Sequence, residues 1–247
     1  MSPRSERVNL PTFDARPGRG EQRMATRYVR VAVIDSGVHP AHPHVGGVAG
    51  GTAIAEDGSR SADYIDRLGH GTAVAAAIRE RAPGAELLAV KVFDRRLSAS
   101  IEALVEGIDW AAAHDVDLIN LSLGTANPRH AIALQSAVVR ATAAGALVVA
   151  AGTHDGVMFL PGSLEGVVRV ELEWSCPRLS VDVVSDAAGG HTVCRASGYP
   201  RPVPGLPRDR NLKGISFAVA NVTGVLAGVL VGGSRPSLAT AIAALSS

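Results

Sequence analysis

The chain has 247 residues, with 24 Lys and Arg against 23 Asp and Glu, for a formal charge of +1. With 47% hydrophobic and 19% charged residues it has the make-up of a folded globular protein, not of a disordered or collagen-like one. So balanced a charge provides no cationic field, which excludes nucleic-acid coating as a function class.

Residues 1–27 combine Pro3, Pro11, Pro17, Gly18 and Gly20 with scattered arginines and show no hydrophobic period. They are expected to form an extended or disordered arm, available for docking a partner. No apolar signal region opens the chain, and the longest apolar stretch, 217–232, contains Asn221 and Thr223 and is too short to span a bilayer. A cytoplasmic location without membrane contact is the simplest expectation. Cys176 and Cys194 are too few for a disulfide framework, and a single bridge or two buried thiols both fit.

From residue 28 the pattern changes. Short apolar runs at 28–34, 86–93, 116–121, 146–151 and 167–172 suit strands buried on both faces of a parallel sheet. Between them, Ile101, Leu104, Val105 and Ile108 form the stripe of an amphipathic helix. A second helix is predicted over 128–144, with Pro128 in its first turn and Gly145 as its stop. This alternation predicts an α/β fold with a mostly parallel central sheet and helices on both faces. The proline-rich loop through Pro200, Pro202, Pro204 and Pro207 then leads to a helix, 217–231, apolar all round and so expected to be buried.

Three segments carry chemistry together. Asp35 ends the first apolar run, at the strand edge where open α/β sheets collect functional groups. His70 lies in Gly-His-Gly-Thr at the start of a small-residue helix, and Ser216 opens the buried helix. A serine hydroxyl is a poor nucleophile until an imidazole accepts its proton, and the imidazole needs a carboxylate to fix its tautomer. At a helix N-terminus, free backbone N–H groups also face a developing oxyanion.

The order Asp, His, Ser is that of the subtilisin arrangement. From 28 to its end the chain resembles a compact subtilisin-like (subtilase) serine protease. The resemblance rests on V-I-D-S-G-V at 33–38, His42-Pro43, G-H-G-T at 69–72 and A-V-K-V at 89–92. It continues through D-V-D-L-I-N-L-S-L-G at 115–124, V-V-A-A-G at 148–152, Ala196-Ser197-Gly198 and G-I-S-F-A at 214–218. It implies a catalytic domain over 28–247 with the three-layer subtilisin-like fold, Asp35 as orienting acid, His70 as general base and Ser216 as nucleophile. Ser122, Leu123 and Gly124 would form one wall of the substrate cleft, and Ala150, Ala151 and Gly152 another. The polypeptide substrate would add as a β-strand against 122–124 and against Leu97, Ser98, Ala99 and Ser100.

Departures from the family pattern refine the expectation. Thr153 stands where the family places an oxyanion-binding Asn; its hydroxyl is one atom shorter, so a slower enzyme is expected. Phe159 falls at the base of the primary specificity pocket, which would then be shallow and favour small side chains. The helix after His70 reaches the next strand without the loop that binds calcium in secreted relatives, so no metal and no other cofactor are expected. The His39, His42, His44 cluster lacks partners to complete a metal set, and Asp63 and Asp66 are read as solvated loop acids. Arg95 and Arg96 lie near the substrate edge. With too few residues before the first strand for a family-sized pro-domain, the expectation is either folding without one or earlier removal of one. The leading functional reading is limited proteolysis of a specific polypeptide, such as removal of a leader from a peptide precursor. The alternatives are a peptide-binding pseudoprotease and a transpeptidase or macrocyclase on the same triad.

Overall fold

The computed structural model describes residues 28–185, 192–230 and 237–246, so the expected N-terminal arm lies outside the described residues. The first half runs β1 (Arg30–Asp35), β2 (Gly50–Ile54), β3 (Arg60–Ser61), α1 (His70–Arg81), β4 (Glu86–Lys91), α2 (Ile101–Ala113) and β5 (Leu118–Leu121). It continues with α3 (Ala131–Ala143), β6 (Leu147–Ala151), β7 (Thr153–His154), β8 (Val157–Met158) and β9 (Val168–Leu172). The chain closes with β10 (Val181–Ser185), β11 (Thr192–Ala196), α4 (Ile215–Val229) and α5 (Leu238–Leu245).

Among the described residues the main sheet has nine strands in the order β10-β11-β9-β6-β5-β1-β4-β2-β3. Its centre is parallel, and only the outer pairs β10–β11 and β2–β3 are antiparallel. Side chains alternate between the faces as a pleated strand requires. Val31 and Val33 of β1 pack into the layer formed by α1, α4 and α5, while Ala32 and Ile34 pack into the layer of α2 and α3. Helices therefore cover both faces, as the apolar runs predict. The order reverses at β1, which lies between β4 and β5, so the C-terminal end of β1 opens onto a crevice.

The expected strands start and stop slightly differently. Tyr28 is 60% exposed and outside β1; Asp35 is inside, registered against Lys91 of β4. The helix predicted over 128–144 opens with a 3₁₀ turn, Pro128–His130, capped by Asn127, before α3 begins. Cys176 and Cys194 are free, buried thiols, and burial pushes Cys194 up to about 12. None of the described helices is long and apolar enough to cross a membrane.

The short connection after α1 is held by a single cation. The Arg79 guanidinium donates to the carbonyls of Val45 (2.9 Å), Gly47 (3.3 Å), Pro83 (2.9 Å) and Ala85. It thus ties the 45–47 turn, ahead of β2, to the 83–85 turn that follows α1. Burial lowers its pKa, the ordinary cost of placing a charge among carbonyl dipoles. Hydrogen bonds to a charged donor contribute about 1.5–3 kcal/mol each in favourable cases, with strong overlap when they share one group. Arg79→Met keeps the apolar stem and removes the donors; it should destabilise the fold by about 2–4 kcal/mol, read as a fall in Tm of about 5–10 °C.

Candidate active site

Asp35 reaches the crevice because β1 carries it to the C-terminal edge of the sheet, and it is fully buried there. His70 opens α1, and its Nδ1 lies 2.7 Å from Asp35 Oδ1. Glycines on either side make this approach possible. Gly69 caps the helix with φ 81°, a left-handed conformation that disfavours side chains. A Cβ on Gly71 would sit 2.1 Å from the Gly37 carbonyl oxygen and 3.2 Å from Asp35 Oδ1, so only glycine lets α1 come this close to β1. Asp35 Oδ1 also accepts from the Ser36 N–H at 2.7 Å, while its Oδ2 is buried without a partner.

Asp66 is not the solvated loop acid expected from the sequence. It is 8% exposed and fully engaged: Oδ1 accepts from the Ser36 hydroxyl and from the N–H groups of Leu68 and Gly69, and Oδ2 from the N–H and hydroxyl of Thr72. Burial raises its pKa, but the bonds from Thr72, Leu68 and Gly69 outweigh that and hold the carboxyl below its ordinary range. The Ser36 hydroxyl in turn accepts from the Gly71 N–H, so Asp66 fixes both the strand end that carries Asp35 and the first turn that carries His70. Asp63, by contrast, is exposed, as expected, and pairs there with Arg67.

Ser216 stands in the first turn of α4, where helical N–H groups lack intrahelical partners. Its neighbour Phe217 lies against the His70 ring, with centroids 5.6 Å apart. The Ser216 hydroxyl donates to the Ser122 carbonyl at 3.1 Å, and the Ser122 hydroxyl donates back to the Ser216 carbonyl at 3.3 Å. Asn120 supports this tie by donating to Ser122 Oγ at 2.7 Å. The Thr223 hydroxyl, about two turns further along α4, is 3.0 Å from Asn120 Oδ1. Helix α4 is thus pinned by buried polar groups to the end of β5.

The segments expected to bind substrate converge on the same edge. Leu97, Ser98, Ala99 and Ser100 face Leu123 and Gly124 across a depression of about 260 Å³. The Ser100 side chain is committed elsewhere, capping α2 through Ala103 N–H and donating to the Glu56 carbonyl, so it offers substrate only its backbone. Ala150 and Ala151 end β6, and Gly152 follows. Phe159 sits between the two walls: its N–H donates to the Gly152 carbonyl at 2.7 Å, and its Cβ would be 3.3 Å from a Cβ on Gly124. Thr153 is half-buried in the β7–β8 hairpin, and its side chain has no hydrogen-bond partner among the described residues.

Sequence reasoning missed Arg169. Its aliphatic stem occupies the space a Gly152 side chain would need, and its guanidinium donates to the carbonyls of Gly162 (3.2 Å) and Ser163 (2.9 Å). An arginine interrupting the apolar run of β9 was the available signal. His39, His42 and His44 do cluster, with the His42 and His44 rings edge-on at 5.4 Å. Among the described residues no group of three or more His, Cys, Asp or Glu is placed to hold a metal ion. Arg95 is 91% exposed at its side chain, a solvated group near the substrate edge.

Asp35, His70 and Ser216 thus stand at the ends of β1, α1 and α4, with Phe217 of α4 against the His70 ring. The sequence model of the subtilase family matches residues 26–168, a stretch that contains Asp35 and His70 and ends before Ser216. The chain belongs to the subtilase family. It is 38% identical over 137 residues to subtilisin E of Bacillus subtilis (strain 168), covering 52% of this chain and 35% of that protein. It is 37% identical over 137 residues to the minor extracellular protease Epr of the same organism, covering 20% of that protein. The match therefore spans about a third or less of these relatives' length. The fold extends further: a cold-adapted subtilisin-like serine proteinase superposes with TM-score 0.64 at 23% identity, covering 87% of this chain and 80% of the other. A lanthipeptide protease superposes with TM-score 0.64 at 19% identity, covering 87% and 78%.

Burial lowers the His70 pKa, but the Asp35 hydrogen bond and the charges of Asp35 and Asp66 raise it, and the net shift is upward from 6.5. A base must be neutral to accept a proton, so the rate of Ser216 modification by a fluorophosphonate should rise with pH through a midpoint above 6.5. The same shift stabilises the fold below the unfolded value, a contribution lost as pH rises through the folded one. Asp66→Asn should move the modification midpoint down and slow the reaction about tenfold or more, because an amide cannot accept the five bonds that orient α1.

Proposed function

We propose that the protein is a serine endopeptidase that cuts a specific polypeptide through an acyl-enzyme on Ser216. The observation that carries this reading is the buried Asp35–His70 pair, 2.7 Å apart, beside the N-terminal turn of α4. His70 takes the proton of the Ser216 hydroxyl as it attacks the carbonyl carbon, and the tetrahedral oxyanion faces the free N–H groups of that turn. His70 then gives the proton to the leaving amine, and water repeats the sequence to free the acid product. Asp35 keeps the imidazole in the tautomer with Nδ1 protonated and stabilises the imidazolium.

Limited processing rather than bulk digestion is supported by the cleft. Phe159 is bonded to Gly152 through its N–H and its Cβ lies beside Gly124, which on this reading narrows the cleft toward small side chains, and a Thr153 hydroxyl would be a weaker second oxyanion donor than an amide. A lanthipeptide protease shares the fold, and a ribosomal peptide precursor in an extended conformation would suit the edge formed by Ser122, Leu123 and Gly124. A peptide-binding protein with little turnover is the second reading, favoured by one observation: the Ser216 hydroxyl is bonded to the Ser122 carbonyl instead of His70.

Fluorophosphonate labelling read by intact mass separates the two. Stoichiometric labelling that disappears in Ser216→Ala supports the endopeptidase, and well-folded wild type that stays unlabelled supports the binding protein. Loss of one oxyanion donor costs about 10²–10³ in turnover, so Thr153→Asn should accelerate turnover by about tenfold or more if Thr153 faces the oxyanion. An unchanged or slower rate would remove Thr153 from that role.

A further inference from the structure

The leaving amine departs on the side of His70, which must hand it a proton, and hence away from the Ser122–Gly124 wall. On that side lies a cavity of about 500 Å³. Its lining includes Gly69, immediately before His70, and Leu212, shortly before Ser216, together with His39, His42, His44 and Arg201. We infer that this cavity receives an acidic residue of the substrate on the leaving-group side of the cleaved bond, with Arg201 as its counter-charge. The inference rests on the endopeptidase reading and names the substrate class for it.

The charges around the cavity support this. Arg201 donates to the His44 carbonyl at 3.2 Å and has no carboxylate partner among the described residues. The cavity's own acid, Asp66, spends both oxygens on five internal hydrogen bonds. Arg67 turns outward to Asp63 and Asp94. The loop that forms one wall, 201–213, carries Arg201, Arg208, Arg210 and Lys213 against the single acid Asp209. The field acts on the imidazoles too: burial, then the Arg201 charge, then His42 depress the His44 pKa, against a smaller opposing effect of Glu80. A cation without an acid partner among the described residues, in a cavity shared with three imidazoles and with the residue next to His70, matches a carboxylate.

A carboxylate that leaves with the amine product contributes only while the acyl-enzyme forms. The test digests a random-sequence peptide library with the full chain at low salt and reads residue frequencies on both sides of every cut by mass spectrometry. Asp and Glu should exceed Asn and Gln about tenfold at one of the first three positions after the cut, and the excess should fade at high salt. Arg201→Gln should abolish the excess, Arg201→Lys should retain it, and Arg201→Glu should turn it into a preference for Lys and Arg. Cuts with equal acid and amide frequencies at all three positions, or an excess that survives Arg201→Gln, overturn the inference and leave the endopeptidase reading standing. No cut in any peptide, with Ser216 unlabelled, overturns both. The salt dependence in wild type gives the answer even if a variant fails to fold.

Discussion

A carboxylate with no exposure to water sits at the end of the central strand, and the structure around it is arranged to make that tolerable. Burying an unpaired ion is costly, so Asp35 must have strong donors. It has the Ser36 N–H and the His70 imidazole, both on Oδ1. Holding those donors at 2.7 Å requires α1 to approach β1 more closely than any side chain at position 71 would allow. The approach is then secured by a second buried acid, Asp66, which gathers Ser36, the 68–69 turn and Thr72 around itself. The two acids together shift His70 toward its charged form, so the constraint that shapes the backbone also sets the basicity of the candidate base.

The other half of the site depends on neutral polar contacts. Asn120, Ser122 and Thr223 are buried and join β5 to α4 through side-chain hydrogen bonds. A fully satisfied buried network specifies one packing of the helix against the sheet, because any slip leaves several groups unpaired. This rigidity matters for Ser216, which is carried on the first turn of that helix. The serine hydroxyl is held by the Ser122 carbonyl.

The central strands were legible because burial on both faces demands continuous apolar runs, and β1, β4, β5, β6 and β9 each have one. The edges were not. The two residues of β3 and the alternating, partly polar Val-Asp-Val-Val-Ser of β10 carry too little apolar signal to stand out from loops. Asp35, His70 and Ser216 were legible through their local glycines and strand or helix ends. Asp66 was not, because four of its five bonds run to backbone or hydroxyl groups in its own turn and the fifth reaches Ser36, 30 residues away. An acid three residues ahead of the Gly69 cap was the trace it left, one that a solvated Asp would leave as well. Arg169 and Arg201 were hidden for a similar reason: their partners are backbone carbonyls, which no side-chain pattern reports.

Arg79 brings a different consequence. A solute ion bridging two turns would stabilise the fold in proportion to the logarithm of its concentration, and dilution or a chelator would release it. Here the bridging cation is part of the polypeptide, delivered in a fixed ratio to the carbonyls it joins and unable to diffuse away. The junction at the C-terminal end of α1 is therefore made without any solute ion. Regulation by metal supply has no handle at this point of the fold; only a change in the chain itself can loosen it.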